Sequence, residues 1–184
     1  PDAGCVGTEF TIKVDLAGTA PFNFTIVDDK GNIVRTVVGY NPVPPTNPIS
    51  YTMKVTPSAT TSYYIRNVSD VSGCTIPDGD GVASVTVYPT PAVTVSPANP
   101  QICVGQGSVE LVANSNNVAG CTYVWSATTG GAALTGDRIT VSPSQTTEYV
   151  VTATSPNGCI GTGRVTVVVN PLPVVDFTIP TSVC

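Results

Sequence analysis

One stretch of this chain occurs twice, and its surroundings recur with it. Val55-Thr56-Pro57-Ser58-Ala59-Thr60-Thr61-Ser62-Tyr63 returns as Val141-Ser142-Pro143-Ser144-Gln145-Thr146-Thr147-Glu148-Tyr149. Each copy runs on to a Gly-Cys (Gly73-Cys74 and Gly158-Cys159), then to an alternating valine run closed by Pro-x-Pro, at residues 85–91 and 167–173. Each also opens on Cys-Val-Gly, at Cys5-Val6-Gly7 and Cys103-Val104-Gly105, and Cys184 stands where a third opening would begin. Repetition on this scale marks an array, in which one unit is multiplied to gain length or avidity. It divides the 184 residues into two units of roughly ninety, each large enough for one core between two sheets and short of room for a catalytic cavity.

The period inside each unit is two. Phe10, Ile12, Val14 and Leu16 mark a strand, and Phe22, Phe24 and Ile26 mark the next. Asp29-Lys30-Gly31-Asn32 reads as a hairpin turn into Ile33 and Val34. Residues 51–55, 63–68 and 82–88 complete the first unit, and 108–113, 122–127, 138–142, 147–154 and 163–169 are the strands expected of the second. Closely spaced turn residues and the absence of any 3.6-residue period predict an all-β chain of two tandem immunoglobulin-like β-sandwiches. The domains expected are 1–88, with its first strand missing, and 92–170, separated by a Pro-rich joint at 89–91. Residues 171–184 are left as the first strand of a following repeat or a donated strand. Tyr88-Pro89-Thr90-Pro91 should hold the backbone near polyproline II as a semi-rigid spacer that favours an extended rod. Pro44-Pro45-Thr46-Asn47-Pro48 cannot sit inside a central strand and reads as a surface loop.

Composition narrows the function classes. Charged residues make up 10% of the chain, and the seven basic ones are scattered against twelve acidic ones, so no nucleic-acid footprint or anionic-membrane patch exists. No apolar run approaches the roughly 20 residues needed to span a bilayer, and membrane insertion is not expected. The N-terminus is not a signal peptide, so the chain reads as an interior or mature fragment. Histidine is absent, which removes His-based triads and the commonest metal ligand together. No catalytic residue and no cofactor is expected. Pro77-Asp78-Gly79-Asp80-Gly81 superficially looks like an acidic calcium loop, but it lacks the remaining ligands and the terminal Glu. Asp78 and Asp80 are therefore weak calcium candidates, and a Gly-rich hairpin connection is the plainer reading.

Six cysteines with no CxxC argue against zinc and for disulfides in an oxidising compartment. Repeat logic pairs Cys5 with Cys74 and Cys103 with Cys159, each bridge closing a loop of more than fifty residues. Such closure is worth about 3–4 kcal/mol in the chain-entropy model. A plain immunoglobulin topology opposes this pairing, because it puts the two cysteines of each pair at opposite ends. Cys121 has no counterpart in the first repeat, and Cys184 belongs to the third opening; both are left unpaired or intermolecular. Trp125, the only tryptophan, sits mid-strand and reads as a core aromatic, and Tyr63 and Tyr149 fit a tyrosine corner. Asn23-Phe24-Thr25 and Asn67-Val68-Ser69 match the glycosylation sequon.

The series Cys-Val-Gly, Tyr-x-Trp-Ser, Val-x-Pro-Ser-x-Thr-Thr-x-Tyr, Asn-Gly-Cys and Val-Asn-Pro-Leu-Pro resembles the immunoglobulin-like and PKD-like tandem repeats of large secreted surface proteins in Bacteroidota, including gliding-motility adhesins. The second repeat matches well; the first departs where Ala20-Pro21-Phe22-Asn23-Phe24 stands in the place usual for Trp. The resemblance implies a β-sandwich fold, export, and a structural or adhesive role without catalysis. The function expected is a non-enzymatic extracellular stalk or fibre segment on the cell surface. The alternatives are a carbohydrate-binding accessory module of a secreted enzyme and a self-polymerising filament subunit joined by strand donation. The expected partners are neighbouring repeats or further copies of the chain, head to tail, and an unidentified surface ligand. For assembly, Val174, Val175, Phe177 and Ile179 form a strand-like segment of the kind that opens the second repeat as Ala92-Val93-Thr94-Val95.

Overall fold

The computed structural model describes residues 2–42 and 49–177. Among them every regular element is a strand, and the chain divides into two compact units, Pro1–Thr90 and Pro91–Cys184. The first unit holds β1 (Asp2–Cys5), β2 (Phe10–Leu16), β3 (Phe22–Asp28), β4 (Ile33–Tyr40), β5 (Ile49–Val55), β6 (Thr61–Ser69) and β7 (Thr75–Tyr88). The second holds β8 (Val93–Ser96), β9 (Gln101–Cys103), β10 (Val109–Ser115), β11 (Thr122–Ala127), β12 (Leu134–Thr135), β13 (Arg138–Val141), β14 (Thr147–Thr154) and β15 (Ile160–Asn170).

Alternation builds both cores. Along β14 buried residues alternate with half-buried ones over the whole strand, so Thr147, Tyr149, Val151 and Ala153 all face inward. In the first unit a sheet ordered β1-β7-β6-β3-β4 is joined by the pair β2-β5. Phe10, Ile12 and Leu16 from the pair meet Phe22, Phe24, Ile26, Tyr63 and Val85 from the larger sheet. In the second unit β12-β11-β14-β15-β9 is joined by β13-β10-β8, and Leu111, Trp125, Val151 and Val167 form the centre of the core. These are two immunoglobulin-like β-sandwiches in tandem.

The hairpin expected after β3 is present, and Asp28 builds it. Its carboxylate accepts the backbone N–H of Lys30 (3.0 Å) and of Asn32 (2.7 Å) together with the Asn32 side-chain amide (2.8 Å). These bonds favour the ionised form and draw the Asp28 pKa below the usual carboxylate value, the Asn32 side chain contributing most.

Two strand readings need correction. Residues 77–81 lie inside β7, which begins at Thr75, instead of forming a connection before residue 82. Antiparallel pairing with β6, Arg66 opposite Asp78 and Val68 opposite Ile76, outweighs the local turn chemistry of Pro-Asp-Gly-Asp-Gly. The residues before Cys5 do form a strand, β1, which pairs in parallel with the end of β7. It is the counterpart of β9, which pairs in parallel with β15, and not of β8. Among the described residues the first unit has no counterpart of β8. The Pro-rich loop at 44–48, Ile179 and Cys184 lie outside the described residues.

Candidate functional site

Three short motifs recur in sequence because each closes a corner of the sandwich in the same way. At Cys-Val-Gly the chain turns out of the parallel strand. The N–H of Val6 donates to the Tyr88 carbonyl (3.0 Å), and that of Val104 to the Asn170 carbonyl (2.9 Å). The glycine that follows has positive φ in both copies, 89° at Gly7 and 67° at Gly105, a conformation that Cβ-bearing residues avoid. At Gly-Cys the turn into the last strand is closed by the residue four positions earlier. The N–H of Cys74 donates to the Asp70 carboxylate (3.1 Å), and that of Cys159 to the Ser155 hydroxyl (3.0 Å).

The Thr-Thr pair is the third motif. The first threonine hydroxyl accepts the backbone N–H of the last strand, Val87 to Thr60 (3.0 Å) and Val169 to Thr146 (3.1 Å). The second donates to the carbonyl two residues back, Thr61 to Ala59 and Thr147 to Gln145, both at 2.8 Å. These clasps hold the end of β7 or β15 against the corner that leads into β6 or β14. The exact repetition of the pair in sequence was the signal available for it. Tyr63 and Tyr149, two residues on, are buried, and burial pushes both phenols above their usual pKa. The Asp28 and Asp29 carboxylates add to the shift at Tyr63.

The cysteine pairs expected from the repeat are not formed. Cys74 and Cys103 are exposed free thiols, while Cys5 and Cys159 are each disulfide-bonded. The reason is register. Cys5 lies opposite Tyr88 at the end of β7, whereas Cys74 precedes its first residue, Thr75. At about 3.3 Å per residue the two are roughly 45 Å apart, and a disulfide tolerates no more than about 7 Å between Cα atoms. Cys103 lies opposite Asn170 at the end of β15, and Cys159 precedes its start at Ile160, which separates them by roughly 36 Å. Equivalence by repeat matched cysteines at opposite poles. Cys121 is a half-buried free thiol whose Sγ lies 3.4 Å from the Val118 carbonyl, to which it donates.

The acidic pair Asp78 and Asp80 sits on β7 rather than in a loop, and Asp78 is ion-paired with Arg66. Among the described residues no group of three or more Cys, Asp or Glu comes together to hold a metal. Trp125 is 1% exposed and its indole N–H donates to the Gly136 carbonyl at 2.9 Å, so its faces are spent on the core. By register its counterpart is Ile26, also 1% exposed: Tyr149 lies opposite Ala127 and Tyr63 opposite Asp28, two residues beyond Trp125 and Ile26. Asn23 of the first sequon donates its amide to Ser69 (3.2 Å) and accepts the Gly39 N–H (2.8 Å). Of the assembly segment, Val174, Val175 and Phe177 are 94%, 71% and 87% exposed and belong to no strand. No helix among the described residues is long and apolar enough to cross a membrane.

Residues 89–173, the second sandwich, match the family described as "Ig-like domain CHU_C associated". No curated protein sequence matches the chain. Among solved structures, the IG1+IG2 pair of DIP-gamma is similar at a TM-score of 0.51 with 10% identity, covering 91% of this chain and 92% of that one. The fibronectin(III)-like modules of Clostridium thermocellum CbhA reach a TM-score of 0.41 at 14% identity, covering 97% and 95%. A bacterial ice-binding adhesin of 1.5 MDa reaches 0.37 at 14% identity, covering 90% of this chain and 59% of that one. At these identities the likeness to DIP-gamma speaks for the tandem immunoglobulin-like fold and for nothing finer.

Proposed function

We propose that this chain is a non-enzymatic segment of an extracellular stalk or fibre, in which immunoglobulin-like repeats give reach and an adhesive surface. The observation that carries this reading is what the two repeats share. The recurring residues are the Cys-Val-Gly turn, the threonine clasp and the Gly-Cys turn, all of which build the sandwich. Residues shared for chemistry would instead converge on one pocket. The match of residues 89–173 to an immunoglobulin-like family supports the same reading. A carbohydrate-binding module is disfavoured, because its stacking platform needs an exposed aromatic face and Trp125 has none.

Intact cells that produce the protein provide the test. An antibody raised against the chain should label them without permeabilisation, and external protease should remove the label. Labelling that appears only after lysis would overturn the surface assignment. Retention of the purified chain on insoluble polysaccharide, lost on substituting half-buried tyrosines such as Tyr64, would favour the carbohydrate module instead.

A further inference from the structure

We propose that the outer face of the larger sheet in the first sandwich is a dimer interface, and that its occupant is the same face of a second copy of this chain. Across that face one row of cross-strand neighbours is apolar over four strands. Val82 on β7 lies opposite Tyr64 on β6, Tyr64 opposite Val27 on β3, and Val27 opposite Ile33 on β4. All four lie outside the core cluster of the unit. Ile33 and Val82 are 69% and 56% exposed, Tyr64 is half-buried, and Val27, at 9%, forms the floor between them.

The second sandwich treats the same row differently. Tyr63 and Tyr149 hold one place in the shared nine-residue stretch, so Tyr64 corresponds to Val150. Val150 lies opposite Ser126 and Arg164, and Arg164 is ion-paired with Glu148 (3.3 Å). Val27 and Val82 thus stand where the second repeat has Ser126 and Arg164. The comparison crosses no register shift, because Tyr63 and Tyr64 pair in step with both of their neighbouring strands. A row that is polar in one repeat and apolar in the other is not demanded by the fold, since both cores close without it. Large apolar side chains left in one patch on a sheet face mark a surface that is covered by another protein.

The charges beside the stripe select the occupant. Arg66 lies opposite Thr25, two residues before Val27 on the same strand, and Asp29 follows Val27 by two residues. The two therefore flank the stripe on opposite sides, and both line the shallow depression that also holds Thr25, Val27, Ile33 and Tyr64. Asp29 is exposed and makes no ion pair among the described residues. Arg66 is paired with Asp78, but its side chain is 45% exposed and a guanidinium has donors to spare after one carboxylate. A two-fold axis running along the stripe lays each of its residues on the same residue of the second copy. It also brings each Arg66 over the other copy's Asp29. The strands of the two faces then run antiparallel, as aligned sheet-on-sheet packing requires at a spacing of about 10 Å. One rotation satisfies both flanks, so the contact is isologous, and the paired charges fix its register. This assignment goes beyond the stalk reading and fails separately from it, because a stalk that never pairs is still a stalk.

Sedimentation velocity of the chain should show a monomer–dimer equilibrium that stops at the dimer. The double variant Ile33→Thr, Val82→Thr keeps a β-branched side chain at both exposed positions. It should weaken the dimer about tenfold or more while melting stays unchanged. Arg66→Glu and Asp29→Arg should each abolish homodimers, because both contacts of the pair then face like charges. The two single variants mixed should form heterodimers, and a chain carrying both substitutions should dimerise again. Loss of the Arg66–Asp78 ion pair by itself could produce neither rescue. Tyr64→Cys, on the axis, should cross-link to its own copy on oxidation, with peptide mapping recovering a bridge between the two substituted positions. A chain that is monomeric at hundreds of micromolar, a dimer untouched by the threonine pair, or charge variants that do not rescue each other would overturn the proposal. So would association that continues past the dimer, which would give the contact to two different surfaces of the chain.

Discussion

At the scale of single residues, each sandwich depends on a few side chains with identifiable duties. Trp125 fills the centre of the second core and ties its indole N–H to Gly136. Trp125→Ala should cost that domain about 3–5 kcal/mol, read as a lowered denaturation midpoint that leaves the first domain untouched. The clasp threonines are a smaller, paired case. Thr60→Val should destabilise the first domain and Thr146→Val the second, each by about 1 kcal/mol, with faster amide exchange at Val87 and Val169 respectively. The buried tyrosines give a pH signature. Because folding raises the phenol pKa above its ordinary value of 10.0, the stability they contribute is complete below pH 10 and is lost as pH rises through the folded pKa. Urea midpoints measured between pH 8 and 12 should therefore fall at the alkaline end, less steeply in Tyr63→Phe and Tyr149→Phe.

At the scale of elements, glycine spacing decides where one strand lies across another. Gly163→Ala should crowd Val93 and Val95, cost the second domain about 1–3 kcal/mol and loosen β8 in hydrogen exchange. Most strands were legible in the sequence because their inward residues alternate over five positions or more, as in Phe10, Ile12, Val14 and Leu16. The misread elements share a physical cause. β1 is four residues long with a glycine inside, and it is specified by the partner it meets in β7 rather than by a pattern of its own. Residues 77–81 carry turn chemistry that cross-strand pairing overrides. Repetition identified the paired motifs but could not say at which pole of a sandwich each sits, which is why Cys5 and Cys74 looked like partners.

At the scale of the molecule, each unit carries its own core and each core is closed by packing rather than by a bridge between its poles. The Ser substitutions at Cys74 and Cys103 should accordingly leave both thermal transitions within about 0.5 kcal/mol of the parent, instead of removing the 3–4 kcal/mol that bridged loops of this length would contribute. The ion pairs on the surface of the described residues, Lys54 with Glu9 (2.6 Å) and Arg138 with Glu110 (3.2 Å) among them, are exposed and add little to this. The parallel pairing of β1 with β7, the first and last strands described in the first unit, bears on a different quantity, the response to load. When a sandwich is pulled by its two ends, β1 is drawn one way and β7 the other, along their common axis. Their hydrogen bonds must then rupture together in shear rather than peel apart one at a time. A unit wired in this way yields to heat at the pace its core dictates, yet resists tension through the few bonds where its first and last strands run side by side.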